Sequence, residues 1–242
     1  MIAPRITDIW VYLSATPLLW LTLTLIAYQA AYWVYARAGF NPLLNPVPVA
    51  IVLLIVALEA TGTEYPKYFE GAQFVHFLLG PATVALAVPL YSQFDKLRRL
   101  LVPLGSALLA GSVTAIVSVL GIGWALGASD TTLLSLVPKS VTAPIAMGIT
   151  EKLGGIPSLT AVLVILTGIS GAVMAKFILD ALRIKDFSVR GFAVGVAAHG
   201  IGTARAFQVS EEAGAFAGLG MGLNGVLTAV LVPVVVGAIR HL

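Results

Sequence analysis

Cysteine is absent from these 242 residues, and charge is scarce. Without a thiol there is no disulfide, no thiolate nucleophile and no Cys-ligated metal, although the redox compartment stays open. Asp, Glu, Lys and Arg make up only 10% of the chain, where a soluble domain carries about a quarter. That shortage excludes a water-soluble globule, because too little polar surface exists to cover one. The N-terminal "MIAPRITDIW" lacks the charged-then-apolar order and cleavage site of a secretory signal, so the first span is expected to serve as its own uncleaved signal. Nucleotide loops, metal-ligand clusters and nucleophile motifs are missing as well. "GLGMGLNG" at Gly218–Gly225 is no dinucleotide fingerprint, since no strand precedes it. These absences point away from an enzyme and from any cofactor other than a coupling proton or sodium ion. The formal net charge of +3 fits basic cytoplasmic loops better than a nucleic-acid partner.

What the chain has is apolar length. Hydrophobic residues make up 59% of it, and the mean hydropathy is +0.98. Six runs free of Asp, Glu, Lys and Arg are long enough to cross a bilayer: Ile9–Ala36, Ala38–Leu58, Gly71–Phe94, Leu100–Ser129, Leu153–Ala175 and Ala213–Ile239. A crossing needs about 20 residues of helix, and the runs far exceed barrel strands. In the second run Pro42, Pro46 and Pro48 push the helix start to about Val47 and leave a short span ending near Glu59. No long soluble loop interrupts the chain. The expected fold is all-α: one polytopic transmembrane domain over residues 1–242, with about six full spans and two further segments, eight in all.

Those two segments are broken. Thr131–Thr150 contains Pro138, Lys139 and Pro144; Val189–Gln208 contains His199, Gly200, Gly202 and Arg205. Each reads as two half-helices around a break. A constant offset sets Thr142 against Thr203, Glu151 against Glu212, and Leu166–Thr167 against Leu227–Thr228, the trace of an internal repeat. The basic clusters Lys96–Arg99 and Arg183–Arg190 are both expected in the cytoplasm. Two full spans between them return the chain to one side, and three do not. The first broken segment therefore reads as a re-entrant hairpin, and the two would enter from opposite faces, as in inverted-repeat transporters. Arg240 fits that count poorly, and eight full crossings, with a long broken helix in each repeat, is the competing arrangement.

Broken backbone in hydrocarbon leaves amides without partners, at several kcal/mol each. It survives where protein or water lines it, and a half-helix N-terminus there attracts anions. Lys139 and Arg205 would neutralise a carboxylate. Ser140, Thr142 and Thr203 would hydrogen-bond it or cap the half-helices. His199 would take up a coupling proton or, in the structural alternative, pack as a hydrogen-bonded core histidine. Glu151 and Glu212 read as interfacial charges.

The strings "NPLLNPV" (Asn41–Val47), "GPATVALAVPLY" (Gly80–Tyr91), "LVPKSVTAPIAM" (Leu136–Met147), "GGIPSLTAV" (Gly154–Val162) and "AAHGIGTARAF" (Ala197–Phe207) resemble the LrgB/CidB family over nearly the whole chain. The resemblance implies a multi-pass protein of the cell inner membrane. It also implies an antiholin-like role linked to murein hydrolase activity and autolysis, beside a smaller LrgA/CidA holin-like partner. A plastidial glycolate/glycerate transporter resembles a fusion of both proteins, and bacterial members are tied to pyruvate uptake. The residue-level expectation is a carrier of small monocarboxylates by alternating access, since polar groups gather at two breaks rather than along full spans. Its rival is a holin-like regulator. Membrane lipid is a necessary partner in either case, and a homo-oligomer is compatible with both.

Overall fold

The computed structural model describes residues 17–41, 44–78, 81, 84–85 and 87–240. The first apolar run is therefore seen from Pro17 onward, and part of "GPATVALAVPLY" lies outside the described residues. Every regular element among them is helical. Four helices have the length and composition to cross a membrane: α1 (Pro17–Arg37), α5 (Phe94–Ala125), α8 (Pro157–Ala181) and α10, whose apolar part is Glu211–Ala238 within Glu211–Arg240. Their outward residues are large and apolar, with Leu18 70%, Val102 82%, Phe177 63% and Val226 70% exposed. Only lipid or another apolar surface can cover such a face without cost. The chain is a multi-pass helical membrane protein.

The residues form two compact units, Met1–Ala85 and Leu86–Leu242. In the first, α1 packs on α2 (Pro46–Thr61) and α3 (Tyr65–Phe77). The second apolar run is indeed a short helix. Asn45 caps it by accepting from the Val47 amide at 3.0 Å, and Pro46 fills the first turn, where its missing N–H costs nothing. Its 16 residues span roughly 24 Å, less than a typical hydrocarbon core. Gly71 lies against Trp20 so closely that a Cβ would sit 2.8 Å from the Trp20 Cβ, and the Tyr68 hydroxyl meets Thr24 Oγ1 at 3.1 Å. The run expected as a third full span, Gly71–Phe94, lies partly outside the described residues. Its described parts include the end of α3 and the short α4 (Ala87–Ser92).

The second unit is organised by α5, α8 and α10, with two interrupted segments between them. The first comprises α6 (Asp130–Leu136), a non-helical stretch over 137–142, and α7 (Ala143–Leu153). Gly154 closes α7 in the left-handed region, φ 84°, which only glycine enters without strain. Ser135 Oγ then accepts the Ile156 amide at 2.8 Å, and Thr160 Oγ1 donates to Ser135 O at 2.9 Å. Residues 135 and 156 are thus pinned together, and the chain between them leaves and returns.

The second interrupted segment is α9 (Phe187–Val209), with His199 non-helical inside it at φ 41°, ψ −135°. The Lys96 ammonium shows how sharp this break is. It lies 3.0 Å from Asp186, just before α9, and 2.6 Å from Glu212, just after it. A straight helix of 23 residues would separate those carboxylates by roughly 35 Å. The segment must therefore fold back on itself. A Cβ on Gly202 would meet Val194 Cγ1 at 2.8 Å across the two arms.

Small residues permit this packing. The first arm runs alongside α10, where a Cβ on Gly191 or Gly195 would collide with the carbonyls of Ala213 and Ala217. Backbones approach this closely only at glycine.

Candidate functional site

The two breaks meet at mid-height. On α8, Thr160 bonds to Thr150 and Ser135 near one end. At the other end Asp180 pairs with Arg190 at 2.6 Å. Between them, Val164 packs against Val141 of the first break and accepts a hydrogen bond from His199 Nε2 of the second at 2.8 Å. A carbonyl can only accept, so Nε2 carries the proton. Gly168 leaves room for the ring: a Cβ there would stand 2.7 Å from His199 Cε1. His199 is buried and fixed by this bond. That arrangement explains why a non-glycine residue holds a left-handed φ although Gly200 follows it; such strain persists only where surroundings over-determine it.

Asn224 of α10 joins the same two breaks. Its Nδ2 donates to Ser140 O at 3.1 Å and to Val196 O at 3.0 Å, while Oδ1 accepts from Ser112 Oγ at 2.6 Å and Thr228 Oγ1 at 3.2 Å. Val196 O would ordinarily bond the amide four residues on, beyond the kink at His199. Ser140 O lies in the non-helical stretch. One side-chain amide thus supplies donors to both interruptions, and it is buried. Sequence reasoning missed Asn224. The available signal was a lone Asn in an otherwise uncharged membrane run, which by default marks a functional or structural polar contact.

Lys139 sits at the first break between two cavities. One, of about 630 Å³, lies between α5 and the first arm of α9. Leu104, Thr114, Lys139, Ser140, Ser188 and Val196 are among its walls. The other, of about 550 Å³, lies along α8, where Leu163, Thr167, Ser170, Lys139 and Ala198 contribute. The described residues form three salt bridges, and none involves Lys139. A half-buried ammonium without a carboxylate partner keeps its electrostatic attraction available for a mobile anion. Thr114, Thr167 and Ser170, which line the same cavities, were also missed from sequence; they sit singly on apolar helices and carry no motif.

The remaining expected residues are placed differently. Thr142 holds the N-cap position of α7 but makes no capping hydrogen bond. Thr203 does not cap the second half-helix. The break falls at His199, so Thr203 is already inside the returning arm, where its hydroxyl donates to His199 O at 2.8 Å. Arg205 lies further down that arm. It lines a separate cavity of about 350 Å³ with Lys176, Asp180 and Arg190 and bonds Gln208 at 3.2 Å. The structure thus gathers Lys139, Ser140 and His199 around the breaks and sets Arg205 apart. Glu212 pairs with Lys96 at 2.6 Å. Among the described residues no group of His, Asp and Glu is arranged to hold a metal.

Residues 24–238 match the LrgB-like family. The chain belongs to that family. It is 37% identical over 214 residues to the uncharacterized protein YxaC of Bacillus subtilis, covering 88% of this chain and 93% of that one. It is 32% identical to the holin-like protein CidB of Staphylococcus epidermidis over 225 residues (93% and 97%). The antiholin-like protein LrgB of Bacillus mycoides is 32% identical over 220 residues (91% and 96%). No solved structure matches.

Proposed function

We propose a function at two levels. At the level of the cell, the relatives named holin-like CidB and antiholin-like LrgB favour a holin- or antiholin-like membrane protein. It would reside in the inner membrane, work beside a smaller LrgA/CidA-type partner, influence murein hydrolase activity and have no enzymatic activity of its own. At the level of the molecule, the geometry favours a carrier of small monocarboxylates of the pyruvate, glycolate or glycerate kind. The names do not speak for a carrier; one observation does. Lys139 stands without an acidic partner at a helix break, between two largely apolar cavities that each carry a few hydroxyls, Thr167 and Ser170 in one and Thr114, Ser140 and Ser188 in the other. A pore would need a polar stripe through the full spans, and the polar side chains here converge on the mid-height junction instead.

In this reading the two hairpins enter from opposite membrane faces and touch at Val164 and Asn224, as an inverted repeat requires. The offset that pairs Thr142 with Thr203 also pairs Pro138 with His199, one residue in each break. Lys139 neutralises the carboxylate, Ser140 and neighbouring hydroxyls orient it, and a proton or sodium ion supplies the coupling. Rocking of one hairpin against α8 and α10 would alternate access.

The test is uptake of labelled pyruvate and glycolate into proteoliposomes containing only this chain. Saturable uptake that Lys139→Gln removes and Lys139→Arg partly keeps supports the carrier. Absence of uptake by correctly inserted protein, together with altered lysis when the chain is expressed beside a CidA-type partner, refutes the carrier and leaves the antiholin-like role standing.

A further inference from the structure

The 350 Å³ cavity that holds Arg205 is not used by the carboxylate reading. Lys176 of α8, Arg190 of the first α9 arm and Arg205 of the second converge there, against the single carboxylate of Asp180. Asp180 is occupied by Arg190 at 2.6 Å, and Arg190 also donates to Ile184 O at 2.9 Å. The rest of the lining is apolar, with Leu179, Phe187 and Val209 among it.

Depth decides what could enter. Lys176 lies near the end of α8, Arg190 near the start of α9 and Arg205 near its end, so each is about 5–8 Å along its helix from the same end of the unit. That end also carries Lys96, Asp186 and Glu212. Immediately beside Lys176, the side chains of Met174 (52%), Phe177 (63%) and Ile178 (47%) point outward, so the cavity borders the apolar flank rather than the core. Excess positive charge at headgroup depth, next to a surface that acyl chains would cover, is the pattern of an anionic-headgroup pocket between membrane helices.

We infer that this cavity binds the phosphate-bearing headgroup of an anionic phospholipid from the leaflet on that side, wedged between α8 and the re-entrant α9. The inference is independent of what the Lys139 site carries.

The test uses the purified chain in detergent, with thermal unfolding followed as each probe is added: dioctanoyl phosphatidylglycerol, dioctanoyl phosphatidylcholine and inorganic phosphate. Phosphatidylglycerol should raise the melting temperature with a definite midpoint concentration, and the other two should not. Lys176→Gln should move that midpoint about fivefold higher, the effect of one interfacial cation, and Lys176→Arg should restore it. Lys176 is exposed, so these variants leave the packing intact. An equal response to phosphatidylcholine would overturn the proposal, because it would show apolar binding alone. An equal response to phosphate would overturn it in favour of a soluble anion, and an unchanged midpoint in Lys176→Gln would remove this cavity from consideration.

Discussion

Replacing Asn224 by leucine keeps the approximate volume and removes both donors that serve the breaks. Ser140 O and Val196 O then lose partners at 3.1 and 3.0 Å, and Ser112 and Thr228 lose the acceptor they share. A buried carbonyl left without a donor costs about 1–3 kcal/mol, so the two together cost about 2–6 kcal/mol. Both Ser140 and Val196 border the 630 Å³ cavity, and water entering there can recover part of that. The lower end is therefore expected, about 2 kcal/mol, or roughly 30-fold in a local opening equilibrium. The assay is amide hydrogen exchange in detergent. Exchange should accelerate about 30-fold at residues 137–142 and 197–202 together, with α8 little changed, because one side chain holds both breaks. Asn224→Asp, buried and therefore protonated, keeps the acceptor and one O–H donor, so it should release only one of the two carbonyls and be milder than Asn224→Leu. Ser112→Ala, which spares the donors, should be milder. Normal protection at both breaks in Asn224→Leu would refute the argument. Acceleration at only one would show that the breaks are held separately.

Other outcomes follow from the same geometry. Gly191→Ala drives a methyl into the Ala213 carbonyl; it should cost about 1–3 kcal/mol, the usual penalty for overpacking, seen as a lower melting temperature, while Gly148→Ala, in open space, should not. Asp186 is held at about 2, below its ordinary 3.8, first by the Ser188 hydroxyl that donates to it and then by Lys96. Its stabilisation is therefore complete above pH 3.8 and lost as the pH falls toward 2. Because that carboxylate is half exposed, the effect stays under about 1 kcal/mol. The melting-temperature gap between wild type and Asp186→Asn should close below about pH 4, and a gap unchanged at pH 2.5 would contradict this. Arg205→Gln should leave the substrate affinity of any carboxylate uptake within about twofold, whereas Lys139→Gln should lower it at least tenfold, the loss of one charge-assisted contact; a titration of uptake rate for each variant decides.

The membrane class and the location of both interruptions were legible because each rests on a local cause. Apolar runs need only length, and Pro138 followed by the polar Lys139 and Ser140, with Pro144 suited to a first turn, marks one helix ending and another starting. The short second helix was readable for the same reason: Pro46 and its Asn45 cap act within one turn. The count of spans between the basic clusters already favoured a fold-back, but sequence could not place the turn. "HGIGTARAF" shows that a helix stops, but the residue at which the chain turns depends on φ and ψ at His199, which is held by a contact 35 positions away in sequence, at Val164. The position of Arg205 depends on that turn. With the break assigned to the whole stretch from His199 to Arg205, Arg205 falls beside Lys139. Once the arm turns back, the same residue descends to the level of Arg190. Asn224 was hidden for a related reason. Its neighbours in the chain are glycine, leucine and methionine, and its meaning lies entirely in which two carbonyls lack donors across the helix interface. A fold-back in a membrane creates such debts in the backbone, and a single buried amide answers both only if the two fold-backs end side by side. The position of Asn224 is thus a consequence of where the hairpin tips meet, a long-range fact that no window of sequence around residue 224 contains.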